Sequence, residues 1–165
     1  MNINDYFNDG NLLDKQIEFY IKKNQLIKIS ENPELIRSYL DKAKHNLDFF
    51  TLNKNQGDYN DWLIVILYYV LYICALALLA KKNFMSKNHT ATLLFLIKEY
   101  SIDIDEAKLI NELSVSKDDA ELYTNLKFDR HNASYSTKIL FSDEKIEEYR
   151  FKVVEFMQKT IDLVK

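Results

Sequence analysis

The chain has 165 residues, a formal net charge of -3, one cysteine, two glycines and one proline. This length predicts one domain that can bury a full core without disulfides or metal ions. The slightly negative charge argues against a nonspecific DNA-coating role, so any phosphate-binding site must be a local patch. Because strands and tight turns depend on glycine and proline, their scarcity predicts an all-α fold. Cys74 lies alone in an apolar run, which indicates a buried thiol and a reducing, cytoplasmic location.

The first half of the chain predicts two amphipathic helices. The first covers residues 11–29, where apolar side chains recur at helical spacing. The second begins clearly, because Asn32 can cap a helix and Pro33 suits the first helical position. It ends near the polar loop at residues 53–58.

Residues 62–80 form an uncharged apolar run. As a helix it is roughly 28 Å long, close to the ~30 Å hydrocarbon core of a bilayer, so a membrane-anchored protein is one interpretation. Tyr68, Tyr69 and Tyr72 fall in the middle of the run, whereas membrane spans collect tyrosine at the interfaces. These tyrosines share one arc of the helix and favour a protein core or a dimer interface. We therefore expect a central core helix from about residue 59 to 82 and no membrane.

The second half predicts four further helices. Ser86 can cap a helix that runs through residues 93–100, and a shorter helix covers residues 105–113. Ser116 with Asp119 makes a capping-box start for a helix that continues to about residue 140. Ser142 caps the last helix, whose apolar residues recur with the three-four alternation of bundle packing.

Residues 122–140 carry the strongest functional pattern. If this segment is helical, one of its faces gathers cations, hydroxyls and an imidazole: Tyr123, Lys127, Arg130, His131, Ser134, Tyr135 and Lys138. Such a face offers a phosphodiester charge neutralisation, directed hydrogen bonds and surfaces on which a base can stack. A solvated helix face without a function is the alternative interpretation.

Two separated motifs resemble the HEPN family. The dipeptide Tyr68-Tyr69 leads into small and apolar residues and then to Lys87 and His89, and RHNASY follows at residues 130–135. The resemblance is strongest over residues 36–160 and points to small stand-alone prokaryotic members, so we expect residues 1–165 to form a single HEPN-like domain. It implies an antiparallel up-and-down helical bundle that forms a homodimer.

The resemblance also implies a site in the cleft between the two subunits. Active members carry an arginine, a polar residue after it and a histidine five positions beyond the arginine, and they cut RNA without a metal ion. Arg130 and His131 match the start of this motif, but Tyr135 stands in the histidine position. A phenol with an ordinary pKa of about 10 is a poor base near neutral pH, although His131 could replace the missing histidine. The candidate catalytic residues are therefore Arg130, His131 and Tyr135, and the candidate substrate-binding residues are Lys127, Ser134, Lys138, Lys87 and His89.

No HExxH, CxxC or glycine-rich phosphate loop occurs, so neither a metal ion nor a cofactor is predicted. Two functions remain open. The first is binding of RNA or a nucleotide through an Arg130-centred face, with weak metal-independent endoribonuclease activity, in a toxin-antitoxin or defence pair. The second is a noncatalytic helical interaction module, or an antitoxin, that partners a minimal nucleotidyltransferase.

Overall fold

The computed structural model describes residues 3–57, 59–114 and 141–165. Most of these residues are helical, which confirms the predicted helical class, and two short strands form a small sheet. The elements in chain order are α1 Ile3–Asn8, α2 Gly10–Lys22, β1 Leu26–Lys28, α3 Pro33–Asn53, α4 Asn60–Lys81, β2 Phe84–Ser86, α5 His89–Tyr100, α6 at 104–114 and α7 Asp143–Val164.

Two predicted caps fix the starts of α3 and α7. The Asn32 side-chain oxygen accepts a hydrogen bond from the Leu35 backbone N–H at 2.9 Å, and Pro33 occupies the first helical position. The Ser142 hydroxyl accepts one from the Lys145 N–H at 3.3 Å, with two acidic residues in the first turn of α7. Both predicted helix starts are confirmed.

The first predicted helix is wrong beyond Lys22. The chain turns at Asn24, whose φ of 53° is left-handed, and then forms β1. Strand β1 pairs antiparallel with β2 in the register Leu26↔Ser86 and Lys28↔Phe84. The prediction that Ser86 caps α5 is also wrong, because Ser86 belongs to β2 and Asn88 caps the helix by accepting from the Ala91 N–H at 2.9 Å.

Helix α4 is the centre of the fold, as its apolar sequence predicts. Most of its side chains between Leu63 and Ala80 are buried, and α3, α5 and α7 all pack against it. Within the described ranges it is the one helix long and apolar enough to cross a membrane, with a mean hydropathy of 2.7. Because 72% of that apolar window is buried inside the protein, the fold is compatible with a soluble protein.

Contacts at both ends of α4 set the direction of its neighbours. The Asn60 side-chain amide donates to the Phe141 carbonyl at 2.7 Å, and Lys81 Nζ donates to the Val164 carbonyl at 2.9 Å. Helix α7 therefore runs alongside α4 in the same direction. Helix α5 does so as well, because β2 first carries the chain back along α4 and the Tyr100 hydroxyl then donates to the Leu78 carbonyl at 2.7 Å.

Candidate functional site: a tyrosine–histidine cluster

The predicted site residues divide into two groups. Arg130, His131, Tyr135, Lys127, Ser134 and Lys138 lie outside the described residues, as does the helix predicted from Ser116 to about residue 140. Lys87 and His89 are described: Lys87 is exposed, and His89 is half-buried at the start of α5.

Tyr68, Tyr72 and His89 form one group of rings, which we call the tyrosine–histidine cluster. The Tyr68 hydroxyl lies 3.3 Å from His89 Nδ1. The Tyr68 and Tyr72 rings are stacked, with centroids 5.7 Å apart and planes 9° from parallel. The His89 ring lies 5.8 Å from the Tyr68 centroid and 5.7 Å from the Tyr72 centroid, so it contacts both tyrosines.

Local structure explains why these rings meet. Residues four apart on a helix lie one turn above each other, so Tyr68 and Tyr72 stack on one side of α4. The backbone N–H of Lys87 donates to the Gln25 carbonyl at 2.8 Å, which fixes the loop after β2 against the end of α2. This loop delivers His89 to the middle of α4. The cluster therefore depends on the small sheet, which the sequence did not predict.

The surroundings of the cluster range from buried to exposed. Tyr68 is 8% exposed, whereas Tyr72 is half-buried. Tyr69, whose ring meets the Tyr68 ring edge-on with centroids 5.1 Å apart, is 41% exposed.

A further tyrosine, Tyr39 on α3, lies near the cluster. Burial raises the pKa of Tyr39 above its usual 10.0, and the nearby Tyr72 raises it further. The Tyr39 phenol thus stays protonated at neutral pH and keeps its hydrogen-bond donor.

The cluster combines three chemical abilities. A phenol can donate a hydrogen bond, and an imidazole can take up or release a proton near neutral pH. The ring faces can stack on a planar ligand. The exposed Lys87 ammonium, two positions before His89, adds a positive charge in the same loop. Within the described part of the chain, no three His, Cys, Asp or Glu side chains come together as possible ligands of a metal ion.

Sequence reasoning found the members of this cluster but not the cluster itself. The tyrosines were predicted as core or dimer interface, and His89 was predicted separately as a substrate-binding residue. No periodicity joins them, because Tyr68 and His89 are 21 positions apart on different helices. The one sequence signal that named Tyr68 and His89 together was the HEPN-like motif, which runs from Tyr68-Tyr69 to Lys87 and His89.

The fold and the cluster define a mostly helical protein in which two tyrosine rings of the central apolar helix α4 contact a histidine ring at the start of α5. Compared with family models, curated proteins and solved structures, the chain matches none of them. The function is therefore inferred from the residues themselves.

Proposed function

We propose that this protein is a HEPN-like homodimer that binds RNA or a nucleotide in the cytoplasm. The observation that carries the proposal is the 3.3 Å contact between Tyr68 and His89. These residues belong to the two ends of the central motif by which the sequence resembles the HEPN family. Their contact in space is what a shared site would require, although they are distant in the sequence.

The chemistry of the cluster suits a nucleotide ligand. Aromatic faces bind bases with little dependence on sequence, and each base stacked on an aromatic ring contributes about 1–3 kcal/mol. Tyr69 and Tyr72 offer such faces, since neither is fully buried. An imidazole and an ammonium, as in His89 and Lys87, are groups that bind phosphate oxygens.

The Arg130-centred face is the second part of the proposal and is taken from the sequence. Its guanidinium can bind a phosphate through two parallel hydrogen bonds, and its lysines add charge. With Tyr135 in the histidine position, we propose binding as the main activity and weak metal-independent RNA cleavage as the secondary one, with His131 as the proton-transfer group.

The first experiment tests cleavage. Purified protein is incubated with a mixed, end-labelled RNA pool in EDTA, which inactivates most contaminating metal-dependent nucleases. Wild type is compared with Arg130→Ala, His131→Ala and Tyr135→Phe. Cleavage that disappears in Arg130→Ala and His131→Ala supports the enzyme. No cleavage by a clean wild-type dimer restricts the proposal to binding.

The second experiment tests binding at the described cluster. Fluorescence anisotropy of a labelled single-stranded RNA, and of a labelled adenine nucleotide, is measured with wild type and His89→Ala. The matched control is His45→Ala, because His45 is an exposed histidine on α3. A loss of affinity of about tenfold or more in His89→Ala alone supports the site. Equal affinities in both variants would remove His89 from it.

A second candidate function is a noncatalytic module that docks onto a minimal nucleotidyltransferase. Two large apolar side chains on α3 favour it, because Phe49 is 49% and Leu52 is 70% exposed. Positions three apart share one side of a helix, so these side chains form a continuous apolar surface. In this case Arg130 would form a salt bridge across the interface with the partner.

Co-expression with a nucleotidyltransferase encoded next to this protein's gene separates the two functions. If Leu52→Glu abolishes co-purification while RNA affinity stays at the wild-type level, the docking function holds. If Arg130→Ala leaves nucleotide affinity unchanged but abolishes partner binding, the enzyme hypothesis fails.

A further inference from the structure

The two segments that form the small sheet carry only positive charge. Residues 19–30 and 81–90 contain no Asp or Glu, although the chain as a whole has a net charge of -3. The pairing of β1 with β2 brings the two segments together. They contain six lysines, all of them exposed, which we call the sheet lysines: Lys22, Lys23, Lys28, Lys81, Lys82 and Lys87. A protein of negative net charge therefore has a local positive surface at its sheet.

Backbone pairing distributes the sheet lysines along the length of the sheet. At one end the Lys87 N–H donates to the Gln25 carbonyl at 2.8 Å, close to Lys23 in the turn that follows α2. At the other end Lys28 pairs with Phe84. Strands rise about 3.3 Å per residue, so positions 25 and 28 lie roughly 10 Å apart. The lysines thus form an elongated surface and not a site for a single small anion.

Neighbouring acids neutralise little of this charge. Lys22 pairs with Glu18 at 3.7 Å and Lys82 with Glu99 at 3.8 Å, and the four side chains remain 33–78% exposed. Exposed ion pairs of this kind contribute little free energy, so a phosphate can replace either carboxylate. Among the described residues, no carboxylate forms an ion pair with the other sheet lysines, Lys23, Lys28, Lys81 and Lys87.

Aromatic rings adjoin the sheet lysines at the end near α2. The Phe19 ring is 48% exposed, and Lys23 Nζ lies 5.8 Å from its centroid. Lys87 stands two positions before His89, so the lysines also lead into the tyrosine–histidine cluster. Proteins bind single-stranded nucleic acids with this combination, in which cations follow the backbone and aromatic rings stack on the bases.

The uncharged groups of the surface decide which polyanion fits it. Asn24, Gln25 and Asn83 carry amides, which can donate to and accept from the base or ribose of a nucleotide. An acidic peptide or an anionic lipid supplies charge but no planar bases for the rings. Membrane-surface segments combine lysines with a broad apolar face, whereas these lysines alternate with amides. Single-stranded RNA uses the cations, the amides and the rings together.

We propose that the sheet lysines bind the phosphate backbone of a single-stranded RNA whose bases stack on the rings of the tyrosine–histidine cluster. The strand passes from the cluster over Lys87 to Lys23 and Lys28. This inference rests on the proposed function and narrows its ligand from RNA or a nucleotide to an RNA strand of several nucleotides. A mononucleotide in the cluster does not reach Lys28, which lies roughly 10 Å along the sheet from Lys87.

Fluorescence anisotropy at several salt concentrations tests the role of the sheet lysines. The probes are labelled uridine monophosphate and a labelled oligouridylate of about 12 nucleotides, a length within the usual site sizes of single-strand-binding domains. We expect the sheet variant, Lys23→Gln with Lys28→Gln, to lose about tenfold or more of its oligouridylate affinity at low salt. Its affinity for the mononucleotide should stay at the wild-type level.

The salt dependence provides a readout that a structural role of the lysines would not change. Each contact with a phosphate of a single strand contributes about 0.7 to the slope of log affinity against log salt concentration, so the sheet variant should lose about 1.4 of this slope. Lys23→Arg with Lys28→Arg keeps both charges and should restore affinity and slope. The matched control is Lys42→Gln with Lys44→Gln, which removes the same charge from exposed positions on α3 and should behave like wild type.

Several outcomes would overturn the inference. They are an unchanged salt slope in the sheet variant, an equal loss in the α3 control, and a wild type that binds oligouridylate no more tightly than the mononucleotide. Lysine-dependent binding to phosphatidylserine vesicles without binding to oligouridylate would also overturn it, because the surface would then belong to a membrane-binding site.

His89→Ala separates this inference from the proposed function. If His89→Ala keeps wild-type affinity for both probes while the sheet variant loses oligouridylate affinity, the sheet lysines stand as an RNA-binding surface and the cluster fails as the nucleotide site. If the sheet variant binds like wild type while His89→Ala weakens the binding of both probes, the sheet lysines alone fail. A wild type that binds neither probe overturns both.

Discussion

The hydroxyl of Tyr68 on α4 lies 3.3 Å from Nδ1 of His89, the first residue of α5. This contact holds the start of α5 against the middle of the core helix. The Tyr72 ring packs against both partners, so the contact is enclosed on one side by aromatic surface. Its loss should affect stability as well as ligand binding.

Replacement of Tyr68 by phenylalanine should lower the free energy of unfolding by about 1 kcal/mol, the net contribution of one hydrogen bond. Urea denaturation followed by circular dichroism measures this change. Tyr69→Phe is the control, because the exposed Tyr69 side chain can exchange its hydrogen bonds with water. Equal losses in the two variants would show that the contact with His89 contributes nothing.

Shortening the Leu78 side chain in α4 should lower the free energy of unfolding far more than removing the Tyr68 hydroxyl does. Leu78 is 1% exposed, so Leu78→Ala leaves a cavity in the core and should lower the free energy of unfolding by about 2–5 kcal/mol. Leu163→Ala near the end of α7 removes the same atoms from an exposed position and should change stability by about 0.5 kcal/mol or less. Similar values for both variants would contradict the central position of α4.

The cap of α5 gives a third prediction. Asn88→Ala removes the acceptor for the Ala91 N–H and should lower stability by about 1 kcal/mol. Asn88→Asp keeps an acceptor at the same place and should be close to wild type. The two variants are compared by thermal unfolding. If Asn88→Asp loses as much stability as Asn88→Ala, the side-chain cap is not what stabilises the start of α5.

Alkaline pH should destabilise the protein through a buried thiol, Cys74, and a half-buried phenol, Tyr100. Burial raises the pKa of the Cys74 thiol from 9.0 to about 12, and the hydrogen bond with Thr160 acts in the opposite direction. Burial also raises the pKa of Tyr100 from 10.0 to about 12. Both groups hold their protons more tightly in the folded state, so their contribution is complete below pH 9 and is lost as the pH rises toward 12.

Urea midpoints measured from neutral to alkaline pH test this dependence. The double variant Cys74→Ala and Tyr100→Phe should show a shallower fall than wild type between pH 9 and 12, whatever its stability at neutral pH. Parallel curves for the two proteins would assign the alkaline sensitivity to other groups.

The burial of α4 predicts the behaviour of the protein in extracts. Overexpressed protein should be recovered in the soluble fraction without detergent, because most of the apolar helix faces other parts of the fold. Recovery only in the membrane fraction, released by detergent, would favour the membrane-anchored alternative.

The sequence predicted those elements whose signals are local. Helices α3 and α7 begin directly after the caps Asn32 and Ser142, as expected, because a capping side chain acts on the first turn of the helix that follows it. The continuous apolar run predicted α4 to within one residue at each end. These features depend little on the rest of the chain.

The missed features depend on contacts between distant residues. Leu26 and Ile27 continue the apolar spacing of α2, yet they form a strand because β2 offers backbone partners to them. The left-handed Asn24 was a usable signal, since asparagine often ends a helix in this conformation. The Tyr68 and His89 contact follows from the same sheet. Secondary-structure rules applied to one segment at a time could not place it.

The small sheet also bears on the order in which the protein folds. At the sheet, the Ser86 hydroxyl donates a hydrogen bond to the Gln25 carbonyl, and these residues are 61 positions apart. In contrast, one short loop joins α3 and α4. Closing a long loop costs more chain entropy than closing a short one, so local pairs form earlier. We expect the α3 and α4 hairpin to assemble first and the sheet, with α2 and the start of α5, to join late. Backbone amides of β1 should then exchange with solvent hydrogen sooner than those of α4, and His89 would reach Tyr68 only in the last stage of folding.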